Sequence, residues 1–416
     1  MHYESSVLAN GIRVVTDEMP EVLSVAVGCW IDTGSRDERP DEAGCSHFLE
    51  HLLFKGSDRY SARYISEAFD AAGAQSNAFT TREATCFWGR LRDADLAMGV
   101  DLLAEMLQRP AFRERDVDSE RDVVLEEINM TEDDPSDVAH EEFTAALWAG
   151  NPLQAPVLGT RESITGMDPA TIAGYWRRRY TPGSMVVAAA GRARHDEVVR
   201  LVEESFGEWA GEAVGHDPIV PEYDARVAIK RRDTEQAHIV IGGEGLARDD
   251  KRRFAAGVLN HVLGGGMSSR LFTEIREERG LAYSVYSFTM PHRETGAWGV
   301  YVGTTPKRSS EVLRLIREEL ASLAGHGITA EELERAKGHV QGSMAISLED
   351  AGNRMTRLGR AELAGIEHLS PEEVVARFSA VTAADVADLA ADLFRGPFVI
   401  GATGPFRARD LDEHVA

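Results

Sequence analysis

The sequence predicts an α+β protein made of two repeated domains of similar fold, each a mostly antiparallel sheet packed with helices. Three observations lead there. Strand-like and helix-like segments are mixed without the strict alternation that a parallel sheet requires. The order of these segments starts again about halfway along the chain. At 416 residues, with 43% hydrophobic and 27% charged residues, the chain is long enough for two cores.

Alternating segments at 11–15 and 22–27 read as strands. From Ala43 to Lys55 the apolar spacing turns helical. A further helix closes at Asp70 to Gly73, and 76–90, rich in Thr, Phe and Trp, reads as strands. Residues 93–108 and 114–133 are helical, and Pro135 ends the second run. Helical segments continue to Tyr180, followed by the apolar strand 185–191 and a helix from His195 to about Trp209.

The Gly- and Pro-containing stretch 211–224 reads as a linker. It divides the chain into 1–210 and 225–416. Beyond it, strand-like 227–229 and 238–241 precede a helix at 253–263. The strand 298–302 is followed by a helix at 309–324, as 87–91 is followed by 93–108. The segment 329–343 mirrors 113–128, and both halves close with a helix and an apolar strand, 168–180 before 185–190 and 382–394 before 398–401.

The formal net charge of −24 excludes a nucleic-acid-binding surface, which needs a basic face. No apolar run reaches the roughly 18–20 residues of a membrane span. The first residues show neither a basic-then-apolar leader nor an Arg-rich transit segment, so a cytoplasmic protein is expected. Cys29, Cys45 and Cys86 form no CxxC pair, and buried reduced thiols are expected.

The chemistry concentrates in His47-Phe48-Leu49-Glu50-His51. On a helix, residues four apart lie about 40° from each other, so His47 and His51 face one metal ion. Glu50 falls on the same side, near the metal without being a ligand. Neutral imidazoles suit zinc, and a catalytic zinc takes three protein ligands and a water. A nearby carboxylate can take that water's proton. The third ligand is sought on the helix 120–128, where Glu120 and Glu127, seven apart, share a face and Glu126 points about a quarter-turn away. Spacing alone does not choose among them.

His47 to His51 followed by Leu52-Leu53-Phe54-Lys55-Gly56 resembles the signature segment of the M16 metallopeptidases, the pitrilysin, insulinase and mitochondrial processing peptidase group, in its two-domain bacterial form. The resemblance covers essentially the whole chain. It implies Glu127, 76 positions after His51, as the third zinc ligand, and Glu120 as the acidic residue supporting the site from behind. It implies that Asn77, Ala78 and Phe79 lie on a strand to which a peptide substrate adds. It implies further that Arg276 and Tyr283, in the second half, bind the substrate carbonyl and the developing oxyanion. The expected activity is that of a zinc endopeptidase with Glu50 as general base. By resemblance, a two-domain chain forms half of a closed chamber, so a homodimer, or a heterodimer with a related chain, is expected. A non-catalytic subunit of the same family is the alternative.

The glycine runs 264–266 and 242–245 lack the further residues of nucleotide-binding loops. The second half contains no HxxEH, and His261 and His339 read as lone structural histidines.

Overall fold

The computed structural model describes residues 3–218 and 221–415. In the first half, strands β1 (Tyr3–Val7), β2 (Arg13–Glu18) and β3 (Ser24–Ile31) lead into helices α1 (Cys45–Leu53) and α2 (Ala62–Ala71). Strands β4 (Gln75–Thr80) and β5 (Thr85–Arg92) follow, then helices α3 (Leu96–Gln108), α4 (Glu114–Asp133), α5 (Pro135–Leu147), α6 (Arg161–Gly166) and α7 (Pro169–Arg179). Strand β6 (Met185–Gly191) and helix α8 (His195–Phe206) close the half.

The second half runs through β7 (Arg226–Arg231), β8 (Ala237–Gly245), α9 (Arg253–Gly264), a wide π-helical segment Phe272–Glu278, β9 (Ala282–Pro291) and β10 (Gly296–Thr304). Helices α10 (Ser309–His326), α11 (Ala330–Ser347), α12 (Ala351–Ala364), α13 (Pro371–Ala380) and α14 (Ala383–Leu393) precede β11 (Val399–Gly404).

The repeat holds at the level of strand order. The first sheet runs β1-β2-β6-β3-β5-β4 and the second β7-β11-β8-β10-β9. Leaving aside β1, each position has its counterpart in chain order. In each sheet the first of these pairs, β2 with β6 and β7 with β11, is parallel, and the remaining pairs are antiparallel. Each sheet is therefore mostly antiparallel with one parallel pair. Strand β1 was not expected from the sequence; its residues are mostly exposed, so no buried face marks it. The three cysteines are buried and unpaired.

Two compact units arise, and they do not simply follow chain order. One comprises 1–128, 155–217 and 345–370; the other comprises 129–154, 218–344 and 371–416. The expected halves, 1–210 and 225–416, thus each contribute one helix to the other's sheet. Helix α12 packs on β2, β3 and β6, while α5 packs on β7, β8 and β11. Small residues allow the close approach. A Cβ on Gly28 of β3 would lie 2.6 Å from the Met355 sulfur of α12, and one on Gly242 of β8 would lie 2.9 Å from the Phe143 ring of α5. Pro135 does end α4, and at once starts α5, capped by Asp134, whose carboxylate accepts from the Ser136 and Asp137 amides.

Helix α1 lies in the first unit with Phe48, Leu49, Leu52 and Leu53 buried in its core. That buried stripe leaves His47, Glu50 and His51 on the opposite side. Helix α4 buries Val117, Glu120, Val124 and Ile128, a stripe at helical spacing.

Candidate metal centre

Helix α1 is positioned before its first turn. Gly44 adopts φ +88°, and a Cβ there would lie 2.7 Å from the Leu158 carbonyl oxygen. The Glu38 carboxylate accepts from the Gly44 and Ser46 amides, both at 2.7 Å, and so satisfies the free end of the helix. Buried Ser46 and Tyr175 share a 2.7 Å hydroxyl contact that ties α1 to α7.

His47, His51 and Glu127 form a group whose ligand atoms lie within 4.8 Å of one another, the one such group of three among the described residues. Glu127 Oε2 lies 3.4 Å from His47 Nε2 and 3.3 Å from His51 Nε2. That oxygen is buried and has no hydrogen-bond partner. Burial, reinforced by the adjoining His51 ring, lowers the His47 imidazole to about 4, so it is neutral near pH 7 and offers no charge to Glu127. A buried carboxylate oxygen without a donor is costly. Two ligand atoms each about 2.1 Å from a tetrahedral ion stand about 3.4 Å apart. The donor set and its spacing therefore fit zinc.

Glu120 lies behind this group. Its Oε2 is 3.2 Å from His51 Nδ1, and its Oε1 is 2.5 Å from Lys55 Nζ. A carboxylate only accepts, so His51 donates from Nδ1, and in its neutral form that tautomer leaves Nε2 free to bind an ion. Glu50 accepts from Thr80 Oγ1 through Oε2 at 2.5 Å. Burial raises the Glu50 carboxyl, opposed by the Thr80 hydrogen bond and by His51.

Asn77, Ala78 and Phe79 lie in β4, at the edge of the first sheet, paired on one side with β5. Thr80, the last residue of β4, joins that edge strand to Glu50. Arg276 and Tyr283 lie together in the second unit: the Arg276 guanidinium stands 4.7 Å from the centres of both the Phe272 and Tyr283 rings. Tyr283 is 81% exposed, and both residues line a cleft of about 580 Å³ with His238, Tyr301 and Arg308. His261 and His339 are not lone histidines; their rings stack at 4.1 Å. Sequence reasoning gave neither Lys55 nor Thr80 a role beside the metal group, although Lys55 continues the four-residue spacing of His47 and His51.

Residues 13–161 match the sequence model described as Insulinase (Peptidase family M16), and residues 167–339 match that described as Peptidase M16 inactive domain. An uncharacterized zinc protease of Streptomyces coelicolor is 44% identical over 408 residues, covering 96% of this chain and 89% of the relative. The chain belongs to peptidase family M16. Another relative, the uncharacterized zinc protease YmxG of Bacillus subtilis, is 39% identical over 398 residues, covering 95% of this chain and 97% of the relative. The fold matches a crystal structure described as a peptidase M16 inactive domain from Pseudomonas fluorescens, with TM-score 0.92 and 22% identity over 98% of this chain and 99% of that one. A protease from Helicobacter pylori matches at TM-score 0.92 and 21% identity, over 97% of this chain and 99% of that one. The M16 family assignment agrees with the position of the ligand group, which falls wholly within 13–161. Among the described residues, no helix is long and apolar enough to cross a membrane.

Proposed function

We propose that this M16 protein is a zinc-dependent endopeptidase that cleaves peptides or unfolded segments. One observation carries the proposal: the buried, donorless Glu127 oxygen lies between the Nε2 atoms of two histidines, with Glu50 on the same helix. His47, His51 and Glu127 would hold the ion. Zinc bound there supplies a Lewis acid that acidifies water and polarises a carbonyl.

The remaining steps belong to the chain's own side chains. Glu50 takes a proton from the attacking water and returns it to the leaving amine. Thr80 occupies Glu50 Oε2 and so leaves Oε1 for proton transfer. Glu120 fixes the His51 tautomer. The open edge of β4 offers main-chain hydrogen bonds to an extended peptide at Asn77, Ala78 and Phe79, a mode with little demand on side-chain sequence. Arg276 and Tyr283 donate to the substrate carbonyl and to the oxyanion, from the same chain or from a second one. The active form is a homodimer or a heterodimer with a related M16 chain, enclosing a chamber that admits short or unfolded peptides. The protein works in the cytoplasm.

The test is incubation of the zinc-loaded protein with a mixed peptide library, with products identified by mass spectrometry. Internal cleavages that disappear with chelator and return with zinc are expected. A library left intact by protein carrying one zinc per chain would favour a non-catalytic role.

A further inference from the structure

Beyond the ligands, helices α1 and α4 meet as a charged ladder. Going up α1 and into the turn that follows it, His47, His51 and Lys55 follow at four-residue steps; going down α4, Glu127 and Glu120 follow at a seven-residue step. Glu127 touches His47 and His51, and Glu120 touches His51 and Lys55. Each acid thus bridges two successive rungs, and Lys55 is the last. Glu120 is buried, its side chain 8% exposed, and its two oxygens are divided between the imidazole and the ammonium.

The backbone that carries Lys55 is held in place. Its amide donates to Leu52 at 3.0 Å, and the next carbonyl, of Gly56, accepts from Ala111 at 3.2 Å. Gly56 has φ +88°, and a Cβ there would run into the Tyr60 carbonyl. Arg113 donates to the Ser57 carbonyl at 2.7 Å and so fixes the same turn. The ammonium is therefore delivered to Glu120 from a rigid base.

We propose that Lys55 is a positioning residue for the metal centre: it holds the Glu120 carboxylate against His51 Nδ1, and so keeps His51 Nε2 aimed at the ion. This rests on the zinc assignment made above. Two physical effects of Lys55 oppose each other, and their signs separate them. As a bare positive charge near a cation, Lys55 would weaken metal binding, and its removal would tighten it. As the anchor of Glu120 it strengthens binding, because groups behind a histidine ligand typically contribute about 10–100-fold in metal affinity. The short contact to a buried carboxylate, and the fixed turn beneath it, favour the second effect.

The test is zinc affinity of the full chain, measured by competition with a zinc-buffering chelator, for wild type, Lys55→Met, Lys55→Arg, Glu120→Gln and the Lys55→Met/Glu120→Gln double variant. Circular dichroism and thermal melting of the metal-free proteins verify the fold. Lys55→Met is expected to bind zinc about tenfold more weakly, with Lys55→Arg closer to wild type. In the Glu120→Gln background, Lys55→Met should change affinity less than about twofold, because the anchor then has no carboxylate to hold. Equal or tighter binding by Lys55→Met, or an undiminished effect of it in the Glu120→Gln background, overturns the role of Lys55. A wild-type chain that binds no zinc overturns the metal assignment itself.

Discussion

The two units build the same scaffold and place different chemistry on it. Helix α1 follows β3 as α9 follows β8, and the buried pairs set the register between them: Phe48, Leu49, Leu52 and Leu53 in α1 against Val258, Leu259, Val262 and Leu263 in α9. In that register Gly257 stands for His47, Asn260 for Glu50 and His261 for His51. Opposite them, α11 takes the place of α4, and His339 stacks on His261. The space left at Gly257 is filled: a Cβ there would lie 3.0 Å from the Phe378 ring of α13. The candidate metal group thus depends on outward positions of a helix whose four paired inward positions are apolar in both units. The second unit has an imidazole, His261, at one of these positions and an aromatic ring, Phe378, against another.

This contrast can be broken most forcefully at Glu50, the proposed proton carrier. Glu50→Gln is expected to retain zinc and lose about 10²–10⁴-fold in peptide turnover, whereas Asn260→Ala at the counterpart position should leave turnover within about twofold. Comparable losses at both positions, measured as kcat with metal content determined in parallel, would end the division into a unit that carries the metal group and one that does not.

The exchange of helices is sharpened by Phe143→Ala. Phe143 belongs to the first half of the chain but is fully buried against the second sheet, beside Gly242 and Gly401. Its truncation should cost about 3–5 kcal/mol in denaturant unfolding. A loss under 1 kcal/mol would mean that α5 contributes little to that sheet.

A smaller effect is expected at Gly257→His, which tries to rebuild the first ligand in the second unit. Phe378 must give way, and overpacking should cost about 1–3 kcal/mol without adding a second zinc per chain. Stoichiometric gain of a second metal would contradict the account of that closed space.

A pH-dependent effect lies in the segment before β7. Burial alone would lower the His216 imidazole, but its contacts with Asp32 and Asp37, at 3.1 and 2.6 Å, prevail and raise it to about 9. A group whose folded value lies above its unfolded value contributes stability in full below the unfolded value, about 6.5, and loses it as pH rises toward 9. Stability should therefore fall between pH 6.5 and 9 in wild type, and His216→Gln should flatten that slope in chemical unfolding measured across pH.

Much of this was legible in the sequence because helical and strand periods report which face is buried. The HxxEH stripe, the seven-residue spacing of Glu120 and Glu127, and the restart of the element order all follow from such periods. What a period does not report is the partner of the buried face. Helices α5 and α12 carry clear apolar sides, yet nothing local says that each covers the sheet of the other half. The same limit hid Lys55 and Thr80: their roles exist only once α1 lies antiparallel to α4 and β4 ends beside Glu50. The choice of Glu127 over Glu126 needed the family resemblance, since both are reached from one helix and only the fold turns one oxygen toward both imidazoles. Likewise, the pairing of His261 with His339 depends on two helices brought together from 78 residues apart.

The most direct measurement is zinc X-ray absorption on the purified chain, combined with metal stoichiometry for wild type and Glu127→Ala. One zinc per chain is expected, with two nitrogen ligands at about 2.0–2.1 Å and an oxygen shell at about 2.0–2.2 Å, and with the metal lost in Glu127→Ala. Zinc retained at full stoichiometry with unchanged coordination in Glu127→Ala, or no zinc in the wild type, would contradict a site built from His47, His51 and Glu127.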